Sequence, residues 1–240
     1  MKESKKENDI VKSNSNAKGA ENKNLASVVT GTEQFFEKNS KWILIGLGVI
    51  VALVVLYFLL IKPSLQNRER NAAADNFKAE YWFGQGNYDV ALNGSDSLDV
   101  IGFAELASSN KGTKANNLAK YYAGICSMKL GQYEEALDYF KSYKAKDEFT
   151  KPLNEMLKGD AELELGNESA ALHHYEKAAS MSKDNFVVAP TALDKAGRLC
   201  LIMGNNQKAL EFFQKIKSDY PESTEWTSVD KYIKLAEAAQ

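Results

Sequence analysis

The chain has 240 residues, 44% of them hydrophobic and 26% charged, with a formal net charge of −2. The charge is unevenly spread. Residues 1–41 carry 8 Lys/Arg against 6 Asp/Glu, or +2, and residues 62–240 carry 22 against 26, or −4. A mildly acidic main part argues against nucleic-acid binding, which depends on a basic face.

Residues 1–24 are dominated by Lys, Asn, Glu and Ser, with Ile10 and Val11 as the only large apolar side chains. Such a stretch buries too little surface to offset its chain entropy, so disorder is expected. Glu33-Gln34-Phe35-Phe36-Glu37-Lys38-Asn39 follows, and Thr32 is placed to cap a short juxtamembrane helix there. An early start of the next helix explains the same residues.

Trp42–Ile61 then reads WILIGLGVIVALVVLYFLLI, twenty residues without a charge. At about 1.5 Å of rise per residue, a helix of this length spans a hydrocarbon core of roughly 30 Å. Trp42 and Tyr57 stand near its ends, Lys41 and Lys62 close it, and Pro63 follows. The run is too long and too far from residue 1 for a cleaved signal peptide, so a permanent bilayer anchor is expected. Lys23, Lys38 and Lys41 on one side face Lys62, Arg68, Arg70 and Lys78 on the other. That near-tie sets no orientation by the positive-inside rule.

After the anchor the chain repeats itself. Gly124-x6-Gly131-x4-Ala136-x3-Phe140 recurs as Gly159-x6-Gly166-x4-Ala171-x3-Tyr175 and again as Gly197-x6-Gly204-x4-Ala209-x3-Phe213. A degenerate copy lies upstream in Gly86-Asn87-Tyr88-Asp89-Val90-Ala91-Leu92. The first glycine of each copy suits close helix approach, and the second suits a left-handed helix end. The pattern resembles tetratricopeptide repeats, helix–turn–helix units of about 34 residues. Lys120 and Glu155 depart from it, standing where a large apolar residue is usual, whereas Leu193 fits. The expected fold is all-α: a transmembrane helix, then a tetratricopeptide-like solenoid with a C-terminal capping helix. The expected divisions are 1–41, 42–61 and 62–240. Repeats fall at about 70–110, 114–148, 150–184 and 187–221, and a cap at 224–239.

Within this frame, residues 68–84 form the first helix, and 98–107 an extra short helix that interrupts the first repeat. A longer link is expected at 182–185. Ser223 or Thr224 caps the last helix, whose Val229, Tyr232, Ile233 and Ala236 share one stripe. Cys126 and Cys200 lie in apolar helical stretches one repeat apart and read as small buried hydrophobes, not a disulfide.

No catalytic constellation is present. His173 and His174 are adjacent, so on a helix they point about 100° apart and share no metal easily. No phosphate loop or nucleophile motif appears. The expectation is therefore a non-enzyme without cofactor, metal or small-molecule substrate. Its binding surface would be the first helix of each pair: Tyr121, Ile125 and Met128; Met156, Asp160 and Leu163; Asp194, Arg198 and Leu201. Some of these side chains also suit packing between helices. The Lys and Asn clamp for a partner's C-terminal carboxylate, found in part of the family, is replaced here by Tyr121 and Ile125.

The whole arrangement, a polar tail ending in Phe-Phe-Glu-Lys-Asn, one anchor and a four-repeat domain, resembles the bacterial membrane-anchored tetratricopeptide family. That family includes the ancillary subunit of the Sec translocon. The resemblance implies an inner-membrane protein with a cytoplasmic N-terminus and a periplasmic repeat domain. It also implies association with the translocon and with periplasmic chaperones. An adaptor in envelope biogenesis or cell division is the alternative. Another is an oligomerisation module pairing through Gly48-x3-Ala52.

Overall fold

A computed structural model of the chain describes residues 38–109 and 111–239. The expected tail up to residue 37, with its Thr32 cap, lies outside them. The chain divides into two compact units at Leu65/Gln66. In the first, residues 42–61 are helical and exposed along their whole length, with a π-helical turn at Tyr57–Ile61. The helix Lys38–Gly84 is long and apolar enough, by length and composition, to cross a membrane.

The second unit is a stack of helical hairpins. It comprises α1 (Lys62–Gly84, which begins before the boundary), α2 (Tyr88–Asn93), α3 (Phe103–Ser108), α4 (Lys114–Lys129), α5 (Tyr133–Ser142), α6 (Thr150–Glu164), α7 (Glu168–Met181), α8 (Val188–Ile202), α9 (Asn206–Asp219) and α10 (Trp226–Ala238). The first helices of the pairs are α1, α4, α6 and α8.

One contact recurs in three pairs. A Cβ added to Gly124 would lie 2.5 Å from the Phe140 ring; at Gly159 it would lie 2.6 Å from Tyr175, and at Gly197 2.7 Å from Phe213. All three rings are essentially fully buried. The missing side chain is therefore the space that the partner ring fills. The turns also recur. Gly86, Gly131, Gly166 and Gly204 take φ of 75°, 75°, 78° and 74°. In each, the next residue donates its N–H back five positions: Asn87 to Trp82 O at 3.0 Å, and Gln132 to Ser127 O, Asn167 to Glu162 O and Asn205 to Cys200 O at 2.8 Å. These are Schellman ends, which satisfy carbonyls that the helix leaves unpaired.

The first repeat is the irregular one, and the expected extra helix at 98–107 is corrected here. Residues 94–101 form an inserted loop with a 3₁₀ turn at Asp96–Leu98. The loop is closed by Ser95 and Val100, which exchange backbone hydrogen bonds of 2.8 and 3.0 Å. Gly94 and Gly102 then meet so closely that a Cβ on Gly102 would lie 2.4 Å from Gly94 N and 2.2 Å from Leu92 O. The chain returns to the point it left, and α3 resumes the interrupted second helix. Without the eight inserted residues, Phe103 falls four positions after Ala91, where Phe140 follows Ala136. Phe103 is fully buried and stacks on Tyr122, with ring centroids 5.0 Å apart.

At the other end, Ser223 Oγ accepts from Trp226 N at 3.2 Å and starts the capping helix α10. Val229 and Ala236 are buried, and Tyr232 and Ile233 lie against the core. Cys126 and Cys200 are both buried and free. Burial pushes their thiols up to about 12 and about 11.

Glu155, which departs from the repeat pattern, is buried on α6 beside two lysines and a histidine. Its carboxylate meets His174 Nδ1 at 2.9 Å, Lys158 Nζ at 3.0 Å and Lys177 Nζ at 3.3 Å. Burial opposes its ionisation, but hydrogen bonds from His174, Lys158 and Lys177 outweigh it and hold the carboxyl at about 2.

Two outcomes are expected. Replacing Gly159 by Ala drives a methyl into the Tyr175 ring, whose hydroxyl is fixed by Asp160 at 2.7 Å. Urea unfolding should show a loss of about 1–3 kcal/mol. For Glu155, the folded pKa is depressed, so its stabilisation is present above the unfolded carboxyl value and disappears as pH falls from about 4.5 towards 2. Urea midpoints measured across that window should fall for the native chain. They should fall less steeply for Glu155→Gln, which is less stable at neutral pH.

Candidate protein-binding site

The structure separates the nine residues expected to line a groove. Tyr121 is half-buried, with its ring 5.8 Å from Tyr122 and 5.3 Å from Tyr143. Ile125 and Met128 are half-buried on the same helix. Met156 is only 7% exposed and belongs to the core cluster around Tyr175 and Leu172. It packs the fold and presents little to a partner. Leu163 and Leu201 rest against that core.

The charged members are engaged within the chain. Asp160 accepts from the Tyr175 hydroxyl and from Lys195 Nζ, both at 2.7 Å. Burial, reinforced by the Asp160 charge, pushes the Tyr175 hydroxyl far above its usual range. Asp194 accepts from Arg198 Nε at 2.7 Å, and the guanidinium lies 4.3 Å above the Tyr232 ring. Burial raises the Asp194 carboxyl, and Arg198 only partly offsets it. These groups tie one first helix to the next and to the cap.

An open cleft of about 620 Å³ lies elsewhere, between α1, α4 and the loop after α5. Its floor is built from amides. Asn76, 2% exposed, donates to Ala115 O at 2.8 Å, while its Oδ1 has no partner. Asn116 donates from Nδ2 to Leu106 O, Ala107 O and Ser109 O at 2.9, 2.8 and 2.6 Å. That amide holds α4 against α3. Asn117 clamps the far wall: its Nδ2 donates to Lys144 O at 3.1 Å, and its Oδ1 accepts from Lys144 N at 2.9 Å.

The cleft's charges are unequal in availability. Glu69 caps α4 by accepting from Lys114 N at 2.8 Å and Ala115 N at 2.9 Å. Asp147 caps α6 by accepting from Thr150 N, Thr150 Oγ1 and Phe149 N at 2.7, 2.6 and 3.0 Å. The Thr150 bonds hold its carboxyl below the usual range. Glu80 has its carboxyl raised by burial. Lys114, Lys120, Lys144 and Lys146 also line the cleft, and none of them makes an ion pair among the described residues. Two of the three carboxylates are thus taken up by helix ends, and four ammonium groups are left over.

None of these lining residues was expected as a site from the sequence; apart from Lys120, they sit off the repeat positions singled out there. The legible signals were Thr113, an N-cap residue whose Oγ1 accepts from Asn116 N at 3.0 Å, and the Lys144-Ala145-Lys146 link.

A family model for the tetratricopeptide repeat matches residues 118–147 and 191–223. The fold is a tetratricopeptide-repeat solenoid. Among solved structures, the chain is similar to one described as the crystal structure of MamA protein. The TM-score is 0.54 at 18% identity, over 72% of this chain and 83% of that one. At that identity the likeness concerns fold alone. No curated protein matches the sequence. Arrays of these repeats serve protein–protein interaction, so the supported general role is a protein-interaction scaffold.

Asn117→Ala should remove both bonds to Lys144 and loosen the far wall. The expected loss is about 1–2 kcal/mol in urea unfolding. The Lys144 amide should also exchange faster with solvent, because its acceptor is gone.

Proposed function

We propose that this chain is a membrane-anchored scaffold that holds an extended, acidic segment of a partner protein in the cleft between α1 and α4. The observation that carries this reading is the set of four lysines left without ion pairs around the cleft, with Glu69 and Asp147 already bound to helix ends. An extended peptide presents backbone N–H groups as well as side chains. Those groups meet the rim of the cleft, because Asn76 Oδ1 in the floor is itself fully buried. Tyr143, its ring tilted against Tyr121, offers an aromatic wall for an apolar side chain of the same segment.

The exposed apolar helix at 42–61 supports the anchor. The resemblance to the membrane-anchored tetratricopeptide family is what suggests the inner membrane, a cytoplasmic N-terminus and a periplasmic domain. By the same resemblance the partners are the Sec translocon and periplasmic chaperones, and the role is that of an accessory factor. An adaptor in envelope biogenesis or division would use the same cleft with different clients.

The test uses the full chain in nanodiscs and a fluorescent, acidic, extended peptide. Lys144→Glu with Lys146→Glu should weaken binding at least tenfold, about 1.4 kcal/mol, and flatten its salt dependence. Lys129→Glu, on an exposed helix end outside the cleft, should leave it unchanged. Equal affinity in all three proteins would overturn the cleft as the site. A photocrosslinker at Tyr143 in intact membranes then identifies the client: translocon subunits support the accessory role, and division or assembly proteins the adaptor.

A further inference from the structure

In an array of helical hairpins, every link from a second helix to the next first helix lies at one end of the stack. This is the end at which α1 begins. Two of these links expose large apolar side chains. Phe149 is 50% exposed in the link before α6; Met181, Phe186 and Val187 are 43%, 57% and 67% exposed around the link before α8. The two links are neighbours, since Glu148 of one and Met181, Lys183 and Phe186 of the other border a single cavity of about 550 Å³. At the opposite end, the turns Leu130-Gly131-Gln132, Leu165-Gly166-Asn167 and Met203-Gly204-Asn205 contain no aromatic residue.

We infer that the links carrying Phe149 and Phe186 rest on the bilayer that holds the anchor, with their rings at headgroup level. The inference relies on the anchor reading given above. Chain length keeps this contact within reach. Glu69, which caps α4, stands only eight positions after Ile61. Eight steps cover roughly 12 Å as helix and at most about 29 Å extended, so this end of the stack is within reach of the membrane surface. The chemistry favours lipid over a soluble partner. Amphipathic interfaces take aromatic and large aliphatic side chains, and the flanking Lys151 and Lys183 make no ion pair among the described residues. Glu148 and Asp184 balance those lysines and border the cavity. Attachment therefore depends on the rings, and neutral lipid suffices.

The experiment uses the full chain in phosphatidylcholine vesicles whose acyl chains carry bromine, which quenches nearby fluorophores. An environment-sensitive label is placed singly through F149C, F186C, V54C in the anchor and L130C in an opposite turn. Native Cys126 and Cys200 are buried, and burial holds their thiols well above the usual range, so the new thiol takes the label. Circular dichroism confirms that each variant is folded. The expected result is loss of emission at 149, 186 and 54, and no loss at 130. Loss at 54 without loss at 149 and 186 would overturn the docking and leave the anchor standing. No loss at 54 would overturn the anchor itself. Loss at 149 and 186 that is equal in unbrominated vesicles and grows with protein density would assign the surface to a second copy, which also overturns the inference.

Discussion

Each regular hairpin depends on one contact, a glycine on its first helix against an aromatic ring on its second. Gly124 with Phe140, Gly159 with Tyr175 and Gly197 with Phe213 bring two backbones close enough for the ring to take the place of a side chain. Interiors are close-packed, so this contact sets both the spacing and the rotation of the two helices. The alanines Ala136, Ala171 and Ala209, all fully buried, keep the second helix equally close on the turn before the ring. Position along the first helix then decides which side chains point away from the pair. The cleft and the core are consequences of that one choice.

Much of the fold was legible because the contact is local in sequence. Sixteen positions separate each glycine from its ring, and the second glycine between them marks the turn. The first repeat resisted the same reading. Its glycine position holds Ala79, and its ring, Phe103, stands eight residues later than the spacing allows. A closed loop of eight residues is invisible to periodicity, since the hydrophobic register resumes only after it. The helical pattern around Leu98 therefore suggested a separate helix, whereas the structure has one helix split in two.

The candidate site was legible only at its margin. Tyr121 abuts the cleft through Tyr143, but Met156 turned inward, because the position three before the glycine faces the core in the third repeat. Asp160 was taken up by Tyr175 and Lys195, Asp194 by Arg198, and Arg198 also by the Tyr232 ring. A single sequence shows that a charge is present, not whether a neighbour in another repeat has claimed it. The lysines around the cleft are available for the converse reason. Glu69 and Asp147, the carboxylates nearest to them, serve as helix caps, and capping is a matter of backbone direction that residue spacing does not reveal.

The loop of residues 94–101 has a bearing on how such a protein can change. Its two ends touch at Gly94 and Gly102, and Ser95 and Val100 lock its neck. What lies beyond the neck is tied to the array at the surface, where Asp99 accepts from Lys78 Nζ of α1 through its backbone oxygen at 3.1 Å and its carboxylate at 2.6 Å. Elsewhere in the loop, residues can be added or exchanged at little thermodynamic cost, since the cost of closing a loop grows only slowly with its length. The first repeat thus contains a ready graft point. Lineages of this protein, or a designer fusing a reporter to it, have at that neck a place to acquire new sequence without refolding the rest.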